Sequence, residues 1–201
     1  SLWRRAREMI HESAPWESRL LRDAALIERW AARPGQSERR SFFVEQKVFL
    51  AAYAMRKLGE GLKVSTDLLS ADMKLLRFPP SEPGFNLFNN HRFGEHFDLE
   101  SPLQVSLLRR RVLNLLVHSL VFAEVLGDAE TYDAFMVTSD YERDRGLLQV
   151  NIAAFVELMR LVGNDWPTSA RWVREPRGDG WRVWAGHGEA PEVAQMARRV
   201  R

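Results

Sequence analysis

The chain has 201 residues, 45% of them hydrophobic and 28% charged, which suits one globular domain with a sizeable core. Its net charge of +2 is too small to imply a polyanionic partner through the overall field, and the lack of cysteine excludes disulfides, thiolate nucleophiles, iron–sulfur clusters and cysteine-ligated zinc. No stretch approaches the roughly 20 apolar residues of a membrane span and no apolar run follows Ser1-Leu2-Trp3-Arg4-Arg5, so neither membrane insertion nor a secretory leader is expected and the address reads as cytoplasmic.

Along the chain, Leu2 to Ser13 is a short charged segment. Pro15 then suits the first turn of a helix, with Glu17 placed to favour the helix dipole. Trp16, Leu20, Ala24, Ile27 and Ala31 recur at helical spacing until Pro34-Gly35. Ser37 is a plausible N-cap for a second helix with a stripe of Val44, Val48, Ala51, Met55 and Leu58. Phe42, Phe43, Phe49 and Tyr53 widen the stripe, which predicts burial on most sides. Gly59 and Gly61 end it, and a shorter helix from Ser65 or Thr66 carries Leu69, Met73 and Leu76.

Pro79-Pro80-Ser81-Glu82-Pro83-Gly84 breaks the chain. Phe85 to Asp98, rich in Phe and Asn, reads as an ordered loop packed by its own aromatics. Ser101-Pro102 suggests the start of a long helix in the apolar run Leu103 to Leu126 that carries Arg111, Asn114 and His118, and Val121 to Leu126 reads either as the end of that helix or as a strand. Tyr132 to Ser139 and Leu147 to Ile152 read as paired strands around a polar turn, and Ala153 to Val162 as a helix. Arg171–Arg174 and Trp181–Trp184 predict a second hairpin across Gly178-Asp179-Gly180, and the tail from Pro191 reads as a short basic helix. The order of elements predicts an α+β fold, an N-terminal helical layer with a small antiparallel sheet in the C-terminal half. An all-α bundle with a C-terminal hairpin is the alternative. The expected organisation is a domain over 1–170 with the hairpin and basic helix of 171–201 packed on it.

Arg111, Asn114 and His118 fall within about 60° of one another on a helix. A cation, an amide and an imidazole in one row fit either a catalytic site or a buried, satisfied polar cluster. Arg111 and His118 are separated by six residues, a spacing that resembles the Arg-x(4–6)-His signature of HEPN-superfamily domains. That resemblance implies an all-helical bundle and metal-independent RNA cleavage at a dimer interface. His118 would move the proton, Arg111 bind the phosphate, and Asn114 match the polar residue between them.

A broader likeness covers residues from about 41 to 167, through Ser41-Phe42-Phe43-Val44-Glu45, Arg56-Lys57-Leu58, Asn114 to His118-Ser119 and Val137-Thr138-Ser139-Asp140. These segments resemble a group of bacterial proteins of unknown activity, which supports the domain limits and no chemistry.

In the C-terminal hairpin Trp172, Trp181 and Trp184 interleave with Arg171, Arg174, Arg177 and Arg182, a pattern able to stack bases and bind phosphates. Period-two packing of Trp onto the core with Arg in water produces the same pattern. His91, Glu95, His96 and Asp98 offer metal-type ligands, but the spacing is one residue too long for a helical zinc motif and no third ligand is evident, so no metal or other cofactor is expected. Only four of the 29 basic residues are Lys, yet the Arg are spread along the chain and many lie at helical spacing from acids. The best reading is a non-catalytic binding or interaction domain with RNA or another single-stranded nucleic acid as candidate partner. Homo-oligomerisation and a HEPN-like RNase using Arg111 and His118 are the alternatives.

Overall fold

Pro15 sits in the first turn of α1 (Ala14–Ala31), where its missing N–H costs no hydrogen bond. Leu20, Ala24, Ile27 and Ala31 of the expected stripe are buried, whereas Trp16 is part-exposed. The Ser37 side chain accepts from the Arg40 N–H at the start of α2 (Glu38–Glu60). This helix buries Val44, Val48, Ala51, Ala52, Met55 and Leu58, but Phe42, Leu50 and Tyr53 remain exposed, so it is one-sided and not enclosed as its aromatics predict. The structure, a computed structural model, describes residues 12–175 and 180–199. The expected turn at Gly178-Asp179-Gly180, Arg177 and most of the charged N-terminal segment therefore lie wholly or largely outside the described residues.

The chain is α+β. The third expected helix is a single turn, α3 (Thr66–Ser70), after which Asp72–Phe78 forms strand β1. A one-turn helix, α4 (Phe93–His96), closes the Phe-rich loop. The long helix expected after Pro102 is in fact β2 (Leu103–Leu108) followed by the shorter α5 (Arg109–Val117), and of the two readings of Val121 to Leu126 the strand holds, as β3 (Ser119–Leu126). Leu103, Val105 and Leu107 alternate with Gln104 and Ser106 at the strand period of two, a signal that the continuous apolar content of the run conceals. β4 (Tyr132–Ser139), β5 (Leu147–Asn151) and α6 (Ile152–Gly163) follow as expected. The five strands form one antiparallel sheet in the order β2-β1-β5-β4-β3.

Pleating gives this sheet two unlike faces. Leu75, Leu107, Phe135, Val137, Leu148 and Val150 point to the helices and join the main core with α1, α2, α5 and α6. Four rings run through that layer: Phe49 to Phe122 at 4.9 Å, Phe122 to Phe135 at 5.0 Å and Phe135 to Phe155 at 5.7 Å. On the reverse face Phe78, Val121 and Leu147 form a second cluster with Phe85 and Phe97 of the Phe-rich loop, as its aromatic content predicts.

Arg40 ties the α1–α2 turn to the β3–β4 hairpin. Only 2% exposed, its guanidinium donates to the Arg33 carbonyl at 2.6 Å, the Glu130 carbonyl at 3.0 Å and the Glu124 carboxylate at 2.9 Å. The Ser41 hydroxyl donates to the other Glu124 oxygen.

β6 (Ser169–Arg174) and β7 (Trp181–Gly186) make the predicted hairpin. The tail corrects the expectation of a basic helix: one 3-10 turn at Val193–Gln195 leads into β8 (Ala197–Arg199), which pairs with β7. The appendage is thus a three-stranded sheet, docked by the Ala185 N–H donating to the Thr66 hydroxyl at 3.0 Å. Among the described residues no helix is long and apolar enough to cross a membrane.

Truncating Phe135, which touches rings on both sides, removes the centre of the aromatic row. Phe135→Ala is expected to lower stability by about 3–5 kcal/mol, read as a shift of the urea unfolding midpoint. A change below about 1 kcal/mol would show that the row is not a supporting element.

Candidate functional site

The stripe of Arg111, Asn114 and His118 is wet. α5 buries Val112, Leu113, Leu115 and Leu116 against the sheet and α2, which turns Arg110, Arg111, Asn114 and His118 to solvent. Of the two readings the residue types allow, the buried polar cluster is therefore excluded. His118 caps the helix, its N–H donating to the Asn114 carbonyl at 3.1 Å, and the backbone then straightens into β3.

Exposure does not bring the three side chains together. The Arg111 guanidinium donates to Glu142 at 2.8 Å, and the same carboxylate accepts from Arg77 at 2.8 Å and pairs with Arg145 at 3.6 Å. Glu142 is only 1% exposed, in the tight β4–β5 turn closed by Gly146. At a φ of +141°, a Cβ on Gly146 would meet the Phe78 carbonyl at 2.5 Å. Arg111 is therefore held by a structural ion cluster, and no hydrogen bond or ion pair joins it to His118.

His118 belongs instead to a chain starting on α2. The Arg56 guanidinium donates to Glu60 at 2.8 Å and meets His118 Nε2 at 3.2 Å. A guanidinium has only donors, so Nε2 accepts and Nδ1 carries the ring proton. Burial pushes the Glu60 carboxyl up, but hydrogen bonds from Lys57 and Arg56 more than reverse this and hold it below the ordinary range.

Beside this chain lies a cleft of about 220 Å³ where α2, α3, α5 and the C-terminal sheet meet. Arg56, Glu60, Arg110, Asn114 and Arg198 line its polar side, with Glu60 engaged by Arg56 and Lys57, and Leu69, Leu113, Val183 and Ala197 line its apolar side. Arg198 donates to Glu175 at 2.9 Å. Arg110 makes no hydrogen bond or ion pair among the described residues, leaving its planar donor fork available for a bidentate oxyanion.

The hairpin residues divide by register. Trp172 pairs with Val183 and Arg174 with Trp181 on one face, and Val183 lines the cleft. Trp172 is 58% exposed and Arg174 exposed, so this row carries aromatic and cationic groups outward from the cleft wall. The opposite face holds Arg171 beside buried Trp184, and Arg182, which donates to Glu175 at 2.9 Å and the Met196 carbonyl at 3.1 Å. Arg182 is therefore a structural residue, Arg171 and Trp172 are free surface, and Trp181 is half-buried. In the Phe-rich loop, His96 is buried against Phe85 while His91 and Glu95 face solvent. Among the described residues no three His, Asp or Glu side chains gather as a metal would need.

The burial of two acidic groups escaped sequence reasoning. Asp165, just past α6, accepts from the Ser65 N–H at 2.5 Å, the Ser65 hydroxyl at 2.9 Å and meets His187 Nε2 at 2.9 Å. These residue types occur in hydrolase triads, but here the carboxylate separates Ser65 from His187 and nothing would take the proton from the hydroxyl. The cluster staples α3 and the C-terminal sheet to α6. Nearby Glu17 is buried on α1; burial pushes its carboxyl above the ordinary range, opposed by Ser13 and reinforced by Asp165. Neither acid stands out locally, because each occupies a polar segment that reads as solvated. No known family model, curated protein or solved structure matches this chain.

Two outcomes separate the exposed stripe from its buried supports. His118→Ala is expected to change stability by less than about 0.5 kcal/mol, whereas Glu142→Ala, which strands three guanidiniums, costs about 3 kcal/mol; urea titrations measure both. A folded-state Glu17 pKa raised above the unfolded value makes stability fall as pH rises through it. Glu17→Gln is therefore expected to unfold later than the wild type at about pH 8, with the gap closing by about pH 4 as the native carboxyl protonates.

Proposed function

We propose that this chain is a non-catalytic binding domain for single-stranded nucleic acid, RNA foremost, held at the α5 cleft and along the Trp172 row of the C-terminal sheet. The observation that carries the reading is Arg110: a solvent-facing guanidinium without a partner among the described residues, beside Arg56, Asn114 and Arg198 on the wall of one concave site. Oxyanions suit that donor set, and a phosphodiester backbone supplies them at regular spacing. Trp172 offers a ring on which a base can stack, one strand away from the cleft wall, with Arg174 next along the same face. The small net charge is no obstacle, because a local group of cations can attract an anion whatever the overall charge, and Arg110, Arg171 and Arg174 have no acidic partner among the described residues.

The second reading, RNA cleavage, draws support from one specific feature. His118 is exposed and in contact with Arg56, an imidazole next to a cation that a phosphate would approach. Arg111 would then have to leave Glu142, and the phosphate-binding role falls more naturally to Arg56 or Arg110.

Fluorescence anisotropy with a labelled single strand tests the proposal. Binding is expected to weaken with salt, Arg110→Ala to lower the log–log salt slope by about 0.7, and Trp172→Ala to weaken binding by about 10-fold. His118→Ala is expected to leave affinity unchanged. Absence of salt-dependent binding would overturn the proposal. RNA cleavage in EDTA that disappears in His118→Ala would replace it with the catalytic reading.

A further inference from the structure

Leu87 and Phe88 are 63% and 90% exposed, an apolar pair at the tip of the Phe-rich loop. The tip is braced. The Asn86 N–H donates to Asn89 Oδ1 at 2.7 Å and the Phe88 N–H to Asn86 Oδ1 at 2.8 Å. Both amide side chains donate to the Gly84 carbonyl, at 2.8 and 3.1 Å. Below it, Phe85 is buried against Phe97, and Asn90 Nδ2 donates to the Leu120 carbonyl of β3 at 2.9 Å. A rigidly displayed apolar pair gains nothing within its own chain, and it would lose little freedom on docking.

A matching recess lies on the other side of the molecule. Between α1 and α2, Leu26, Ile27, Trp30, Phe43 and Val44 line an apolar hollow of about 160 Å³, comparable to the roughly 150 Å³ apolar cavity that accepts benzene. Phe42, exposed and edge-on to Phe43 at 5.6 Å, extends its lip.

The charges around the two features are opposite. Glu82, Glu95, Asp98 and Glu100 flank the finger, and its single nearby Arg, Arg92, is already paired with Glu95. The hollow is rimmed by cations: Arg33 lies 4.9 Å from the Trp30 ring and Arg39 5.7 Å from the Phe43 ring. The loop packs on the reverse face of the sheet and the hollow belongs to the helical layer, so a chain cannot seat its own finger.

We propose that Phe88, with Leu87, of one copy inserts into the Trp30–Phe43 hollow of the next, a head-to-tail self-association guided by the acidic flank and the basic rim. Such a contact is heterologous, so it builds a ring or an open chain and not a two-fold dimer. The acidic flank also disfavours an anionic bilayer as the finger's target.

Sedimentation velocity over a concentration series tests this on the full chain. The wild type is expected to grow with concentration and less so in high salt. Phe88→Asp and Leu26→Glu are each expected to weaken association by more than about 10-fold, and Arg39→Glu, wholly on the surface, to do so by charge alone. The decisive sample is an equimolar mixture of Phe88→Asp and Leu26→Glu. One intact hollow and one intact finger remain, so the mixture forms a 1:1 dimer and nothing larger. A wild type that stays monomeric throughout, a Phe88→Asp chain that assembles like the wild type, or a mixture that remains monomeric overturns the proposal. So does flotation of a monomeric wild type with phosphatidylglycerol vesicles that Phe88→Asp abolishes, which would assign the finger to membranes.

Discussion

The ring row Phe49–Phe122–Phe135–Phe155 is the contact on which the remaining architecture depends. It joins α2 to the β3–β4 hairpin and the hairpin to α6, fixing two helices against one face of the sheet. Offset and edge-to-face rings hold orientation as well as area, so the helices gain a defined rotation. α5 needs no such contact because it is strung between β2 and β3. Once α2 is fixed, Arg56 faces His118 and the cleft beside α5 acquires its second wall.

Sealing one face of the sheet with helices leaves the other to be covered by what remains. Among the described residues only the one-turn α4 lies there, and the Phe-rich loop that contains it covers this face with Phe85 and Phe97 over Phe78, Val121 and Leu147. A loop satisfies its own polar backbone poorly, which explains why Asn86, Asn89 and Asn90 spend their side chains on carbonyls and N–H groups. The same bracing that makes the loop a cover presents Leu87 and Phe88 outward.

The α+β class, both C-terminal helix boundaries of the core and the β4, β5 and β6–β7 strands were legible, because each has a clear period and clean Gly or polar ends. The run Leu103 to Leu126 was legible only at its end, where a strand was one of two readings. Its strands carry Leu at positions a helix would also fill, and no Gly or Pro marks the joints at Leu108 and His118. Met73 and Leu76 likewise fit a helix stripe, yet exposed Lys74 lies between buried Met73 and Leu75 in the alternation of a strand, which pairing with β2 and β5 fixes. Half of the candidate site was legible as residue types. Asn114 and the cleft wall at Val183 meet only through the docking of the C-terminal sheet on α3, a contact of long sequence separation with no local trace.

Arginine illustrates why composition alone could not locate function here. In a chain where it recurs throughout, its chemistry is everywhere, and only the partner each guanidinium has found distinguishes one from another. Arg40, Arg77, Arg111 and Arg182 are spent on Glu124, Glu142 and Glu175, and removing such a partner strands charge inside the protein. Arg110 and Arg174 have no such partner among the described residues and lie on α5 and on the outward row of the C-terminal sheet. Arg171 is exposed on that sheet's opposite face, and Arg33 and Arg39 are likewise without an acid beside the helical hollow. Fixed charges of one sign that the fold leaves uncompensated are a standing source of attraction for an anion. The candidate surface is therefore defined less by where the arginines are than by which of them the neighbouring acids leave unpaired, since Glu60 on the cleft wall is already taken by Arg56 and Lys57.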